Sequence, residues 1–483
     1  MIKKYFLYGA LTLFFFFPQT VLSASEQERE PDYSLHRKAS EKAIGLSLSD
    51  AISLGLRNNY AIRSVYLDRI AQKFDLRVAE DRFTPKLQLS GRYIAGKNQD
   101  ANFRKTNLSP NATLFTPLGT RFTLSWTREN TRSGINNFHN DGASITVVQP
   151  LLRGAGTDVN NAPILLAKLQ EQTNRLNLKA TISDSITQII FAYHALLRAQ
   201  EQQSLSIASL KRMRKLVEIN KELIDAGRMA QTDIIQTQAD LAMQELSAKE
   251  AENNVHSTRL ALLKLLALNH KTPIYATDTL KGTHVNLNIE QSIAKAQAQQ
   301  PDYLIQLLSA KTADIQLLQA RNDRLWDLSL VGGTSQNRSS SSETRNWENF
   351  VGIRLDIPIG DMTQKQAEVQ AKVNVQKQAL RLEEAKTNLE QKIINAIRDT
   401  ESRWQEYQLA IKASSLSQKK LEIEQEKLQA GLSSNFQVLS FETDLRNAEN
   451  ARLNTLIQYL NAQAELDQIL GTTLESWEIT LND

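Results

Sequence analysis

Between Gln364 and Leu428, positions Ile393, Ile397, Thr400, Trp404, Tyr407 and Ile411 step by alternating fours and threes, and the rhythm carries on through Ser414, Gln418, Leu421, Gln425 and Leu428. That heptad spacing keeps one seam of a helix against a partner. It breaks at Ala430-Gly431-Leu432-Ser433-Ser434, where Gly431 supplies the freedom for a reversal, and resumes from Leu453 through Leu456, Leu460, Gln463 and Asp467 to Leu470. The pattern predicts a helical hairpin over about 362–470 with its tip near 431. At ~1.5 Å per residue its first arm reaches on the order of 95 Å, longer than a compact domain is wide. An earlier stretch is built alike, with Ile189, Leu196, Gln203, Leu210, Val217 and Ile224 recurring every seven residues. Its helix is predicted over about Ile164–Ile224 with Pro163 in the first turn, its reversal at Asp225-Ala226-Gly227-Arg228-Met229, and its return over about Thr232–Leu268. This is a hairpin over about 162–268 with its tip near 227.

Between the hairpins the period changes from heptad to two. Lys86 to Tyr93, Thr120 to Thr127, Ser144 to Pro150, Asp327 to Thr334 and Phe350 to Ile357 read as strands, with a Ser339–Ser342 loop before the last. The Asn-, Thr-, Ser- and Gly-rich stretch from Asn98 to Asn140 is expected to form an extra hairpin around 116–127 or an ordered loop. Ahead of the strands stand a short helix capped by Ser49 and ending near Asn58-Asn59, then a helix over about Ala61–Arg82. Shifting Leu46-Ser47-Leu48-Ser49 by 241 positions reaches Leu287-Asn288-Ile289-Glu290, and the same shift pairs Leu87, Leu89 and Gly91 with Leu328, Leu330 and Gly332. A constant offset over such a span marks an internal duplication. The expected layout is a first repeat over 46–270 with strands at about 86–150, a connector at 271–286, a second repeat over 287–470 with strands at about 327–357, and a tail at 471–483.

Composition narrows the function. The chain has no cysteine, 41% hydrophobic residues and a formal charge of +4, with Lys and Arg interleaved among Glu, Asp and Gln, so a nucleic-acid partner is not expected. Met1-Ile2-Lys3-Lys4, the apolar run Tyr5–Phe17, Pro18 and small residues at Ser23 and Ala24 form a secretory signal over 1–24, followed by a loose leader over 25–45. No later apolar run approaches the ~20 residues of a membrane-spanning helix, so any crossing must be made by strands. A few strands cannot close on themselves, and an open edge in lipid leaves backbone groups unpaired, so closure must come from other copies. Tyr93, Phe103, Phe115, Phe122, Trp126, Trp326, Trp347 and Phe350 gather in or beside the strands as interfacial belts do. Gln200, Gln203, Gln418 and Gln425 in the seams suit a wall with water on one side.

Enzyme chemistry finds no footing. His36, His139, His194, His256, His270 and His284 have no ligand spacing, Gly154-Ala155-Gly156 lacks a third glycine and leads into a rod, and there is no cysteine nucleophile. No catalytic, cofactor or metal site is proposed.

The duplicated layout, the Leu-x-Leu-x-x-Ala-Ile opening at Leu46–Ile52, the exit Val148-Gln149-Pro150-Leu151-Leu152-Arg153-Gly154, and the tips Gly227-x4-Thr232-Asp233 and Gly431-Leu432-Ser433 together resemble the TolC-like outer-membrane efflux proteins. The resemblance implies an α+β, mostly α membrane protein of a Gram-negative bacterium. In it, a homotrimer pools four strands per subunit into one transmembrane β-barrel and its helices into a coiled-coil periplasmic tunnel. It implies a passive exit duct of a tripartite efflux or type I secretion system, docked on a periplasmic adaptor and inner-membrane transporter. Gly227, Arg228, Met229, Gly431, Leu432 and Ser433 would form the docking tips, and Thr232 and Asp233 the constriction. The middle hairpin departs from the plainest pattern. So do Gln437 and Ser440, where ring carboxylates are expected, and Ser433 and Leu428, where an arginine and a tyrosine would clamp the closed state. Two other readings are a periplasmic adaptor, which needs one hairpin rather than two, and an exported coiled-coil spacer, which needs no aromatic strands.

Overall fold

Ser47 opens the helical part of the chain. Its hydroxyl accepts from the Asp50 N–H while the Asp50 carboxylate accepts from the Ser47 N–H, a reciprocal capping box that starts the first helix two residues ahead of the expected Ser49 cap. The structure is a computed structural model that describes residues 43–97, 99, 102–340 and 345–481; the expected secretory signal, nearly all of the leader and part of the 339–342 loop lie outside the described residues. In chain order the elements are β1 (Ile44–Leu46), α1 (Leu48–Asn58), α2 (Tyr60–Glu80), β2 (Lys86–Lys97), β3 (Asn102–Phe115), β4 (Arg121–Ser133), β5 (Asn136–Pro150), α3 (Thr157–Asp225) and α4 (Asp233–Leu265). Then follow β6 (Ile274–Ala276), α5 (Ile289–Gln299), α6 (Pro301–Asp323), β7 (Asp327–Ser339), β8 (Asn346–Asp356), α7 (Thr363–Gln429), α8 (Asn435–Leu470) and a last short turn, α9 (Thr473–Ser476). α1, α2 and β2 start at residues 48, 60 and 86, and α5, α6 and β7 at 289, 301 and 327, a constant displacement of 241.

The two long helices have 69 and 67 residues. α3 begins six residues before Pro163, which therefore sits inside the helix rather than in its opening. The early start is held by Asn160, whose side-chain amide donates to the carbonyls of Gly154 and Gly156 at 2.8 Å each. The expected seams are buried where α3 and α7 meet their neighbours: Ile186, Ile189, Tyr193, Ile393 and Leu421 are all at or below 2% exposure. Ile207, at 55%, and Gln418 are exposed instead.

The largest core gathers Ile52, Ile62, Ile189, Tyr193, Leu262 and Leu266 where α1, α2, α3 and α4 converge. α1 approaches so closely that a Cβ on Gly55 would lie 2.2 Å from Ile189 Cδ1. Beside this core β1 pairs in parallel with β6, which lies within the expected 271–286 connector. Tyr193 Oη donates to the Leu46 carbonyl at 2.9 Å and the Ala276 N–H donates to Gln200 Oε1 at 3.1 Å. Gln200 is thus tied to a strand rather than facing water.

The remaining strands make one antiparallel sheet in the order β2-β3-β4-β5-β7-β8. Six strands stand where the resemblance implied four. The additional pair is β3 and β4, the extra hairpin expected between Asn98 and Asn140. β3 escapes a period-two reading because Thr106 and Pro110 interrupt its apolar side.

Candidate functional site: sheet faces and hairpin tips

Strand register sorts the sheet's side chains into two unlike faces. Reading across the ladders, Leu87 lies beside Ala112, Ala112 beside Leu124, and Leu124 beside Ile145, so these share a face. By the same alternation Leu89, Tyr93, Leu108, Phe122, Trp126 and Val147 join them, and on the later strands so do Leu330, Ile353, Leu355 and Trp347. The opposite face carries Gln88, Ser90, Asn107, Asn111, Thr123, Ser125, Ser144 and Ser335. There Ser125 and Ser144 share a 2.7 Å hydrogen bond and Lys105 pairs with Glu129 at 2.7 Å. Along β4 the apolar members Phe122, Leu124 and Trp126 are exposed while Thr123, Ser125 and Thr127 are half-buried. This is the alternation of a curved sheet with its apolar face convex. The expected aromatic belt is divided by this sorting: Tyr93, Phe122, Trp126 and Trp347 are on the apolar face, whereas Phe103, Phe115 and Phe350 are on the polar one. Among the described residues no helix is long and apolar enough to cross a membrane.

At the far ends of the long helices both reversals use the same closure. Gly227 and Gly431 have φ of +65° and +76°, the left-handed region that glycine enters without cost. The Arg228 N–H reaches the Leu223 carbonyl and the Leu432 N–H the Lys427 carbonyl, both at 2.8 Å, closing paired Schellman motifs. The tips touch: a Cβ on Gly431 would stand 2.7 Å from Arg228 Nη2, and Asn435 Nδ2 donates to the Asp233 carbonyl at 3.5 Å. Leu432 is 79% exposed, Arg228 exposed and Met229 half-buried against the Leu421, Leu428, Val438 and Leu439 cluster. Ser433 donates to Glu424 Oε1 at 2.5 Å, and that bond first, ahead of Lys427, holds the Glu424 carboxyl below its usual range. Thr232 and Asp233 open α4 and are exposed; Thr232 makes no side-chain cap. Leu428 is buried and has no polar group with which to clamp anything.

Sequence reasoning missed the polar ladder that joins the two hairpins behind the tips. Asn220 on α3 donates to Thr237 Oγ1 on α4 and to Asn435 Oδ1 on α8, each at 2.8 Å, and all three side chains are buried. One step up, Glu442 accepts from Ser209 Oγ at 2.8 Å and from Arg212 Nε at 3.0 Å on each oxygen, with Glu449 3.6 Å from the same guanidinium. Burial pushes the Glu449 carboxyl up against the pull of Arg212. Burial would lower Arg212, but the Glu442 hydrogen bond and the two carboxylate charges outweigh it and raise the group. Higher still, His194 Nδ1 meets Asn461 Oδ1 at 2.7 Å, and burial lowers that imidazole. The signal was present: Asn435, Glu442 and Glu449 recur every seven residues on the buried side of α8.

No protein-family profile matches this chain, and no curated protein matches it by sequence. Solved structures do. The chain is similar to the outer-membrane protein VceC from Vibrio cholerae, with 15% identity and a TM-score of 0.67 over 88% of this chain and 96% of that one. It is similar to the Campylobacter jejuni CmeC outer-membrane channel, with 16% identity and a TM-score of 0.66 over 95% and 93%. To the open state of the Neisseria gonorrhoeae MtrE outer-membrane channel the identity is 18% and the TM-score 0.64 over 88% and 89%. At these identities the likeness is one of fold, and it is the fold of the outer-membrane channels that the sequence motifs resemble.

Proposed function

We propose that the protein is a passive outer-membrane exit duct, a homotrimer whose pooled strands make a water-filled barrel and whose hairpins extend it into the periplasm towards an adaptor and an inner-membrane pump. One observation carries the reading: a curved sheet with an apolar convex face, a polar concave face and two unpaired edges, mounted on helices far longer than a compact domain. Lipid outside and water inside account for both faces, and strands from neighbouring copies account for the edges. The fold shared with the channels above supports it. The chain divides on this reading into two repeats, 46–270 and 287–470, each contributing one hairpin to the tunnel.

The tips Gly227-Arg228-Met229 and Gly431-Leu432-Ser433 are the surface an adaptor meets, with the exposed Leu432 at its centre. Asp233 supplies one carboxylate per subunit to the constriction beside Thr232, and three such charges attract cations. Ser433 and Leu428, engaged with Glu424 and the core, leave this gate without an arginine–tyrosine clamp. Efflux of small molecules and type I protein secretion both fit an open duct. Leu432→Asp tests the docking claim: export is abolished while trimer and membrane insertion persist. Unchanged export refutes docking through this residue, and release of the wild type from membranes by carbonate refutes the barrel.

A further inference from the structure

Within the six-stranded sheet, β2 and β8 each pair on one side only. An even number of alternating strands leaves these edges running in opposite directions, so β2 of one copy can continue the antiparallel ladder of β8 on the next. The apolar face sets the register. Counted from the row Leu87, Ala112, Leu124, Ile145, Thr334 and Asn349, the helix-side end of β2, Lys86, lies one residue away, and that of β8, Asp356, lies seven away. The intervening ends at Phe115, Arg121, Pro150 and Asp327 fall between or level with these limits. The sheet is therefore slanted by about six residues per copy, or ~20 Å along the strands over a width of ~29 Å. That corresponds to a tilt of roughly 35°, the value at which closed barrels sit.

We infer that three copies close an eighteen-stranded barrel by pairing β2 of each with β8 of the next, Leu87 opposite Leu355 and Lys86 opposite Asp356. The count rests on the trimer proposed above. This register brings Leu89 beside Ile353 on the lipid side and Ser90 beside Gly352 on the water side, whereas a slip of one residue would turn polar side chains into lipid. The seam continues into the helices. α2 leads into β2 and exposes Leu67, Ile70, Phe74 and Val78, while α7 leads out of β8 and exposes Val369, Val373 and Leu380. Each stripe spans twelve residues, a matched pair of apolar faces leading to and from matched strand edges. Because barrel diameter grows about linearly with strand number, the wall is roughly one and a half times as wide as a twelve-stranded one, and the narrowest point falls to the helical tips.

The cysteine-free chain makes the test clean. A Cβ on Gly352 meets nothing within 4 Å, so Ser90→Cys with Gly352→Cys is tolerated. On oxidation in outer membranes the pair should link chains into a covalent trimer, while Ser90→Cys with Glu348→Cys, on the same face but out of register, should not. Cross-links confined within single chains overturn the seam. Electron cryomicroscopy of the unmodified protein counts the wall directly, with eighteen strands expected. A trimer with twelve, its β3–β4 hairpin outside the wall, overturns the count alone. A native mass other than three copies overturns the trimer reading and the count with it.

Discussion

Replacing Arg212 with alanine should loosen the two hairpins from each other just above the tips. Glu442 is 5% exposed and takes its neutralisation from the Arg212 guanidinium on α3, with Ser209 as its other donor. Breaking a buried pair by removing one partner costs about 3–5 kcal/mol, because the remaining charge is left without compensation. The Arg212 side chain is 28% exposed, so water can reach the vacated space and the lower end, about 3 kcal/mol, applies. That is roughly a hundredfold in a local opening equilibrium. Amide hydrogen exchange followed by mass spectrometry should show it as a rise of that order in α3 around Met213 and in α8 around Glu442, with the strands β2 to β8 unchanged. Adding Glu442→Met should recover much of the protection, since the nearer and more buried of the two carboxylates left by the arginine is then gone. Exchange in Arg212→Ala within a few-fold of wild type, or an equal rise in the sheet, would refute the view that this ladder locks the hairpins.

Other consequences are as direct. Asp233→Asn should remove both cation preference and block by multivalent cations from the purified protein in planar bilayers; if neither changes, Asp233 only opens α4. Gly55→Ala, placing a methyl on Ile189 Cδ1, should cost about 1–3 kcal/mol in denaturant unfolding, and Ile189→Val, which lacks that atom, should restore part of it. Burial raises the Asp467 carboxyl despite hydrogen bonds from Thr472 and Ser476. Its ionised form therefore destabilises the fold at neutral pH, and that penalty fades as pH falls through the raised folded-state value. Asp467→Asn should melt above wild type at neutral pH, with the difference shrinking on acidification.

The long hairpins were legible because heptad repetition over tens of residues is a strong signal and glycine at 227 and 431 is what a Schellman closure needs. α7 runs one residue beyond the expected span at each end. Local competition between caps was less legible: Ser47 and Ser49 both precede an apolar run, and only the position of Asp50 favours the first. β3 was hidden because one of its faces is polar and the other carries Thr106 and Pro110, leaving few apolar residues to show the period. β6 is three residues long, too short for periodicity, and is held by Gln200 from a distant helix. The site divides in the same way. The glycines and Leu432 were readable from the tips themselves, whereas the buried contacts of Asn220, Arg212 and Glu442 depend on how two hairpins far apart in sequence come together.

The most direct measurement is single-channel recording of the purified, detergent-extracted protein in planar bilayers, with native mass spectrometry on the same preparation. Discrete, long-lived conductance steps from a particle of three copies are expected. A protein that leaves membranes in carbonate, or a trimer that inserts without conducting under any ionic condition and stays silent when Arg212→Ala loosens the tips, would contradict an outer-membrane duct.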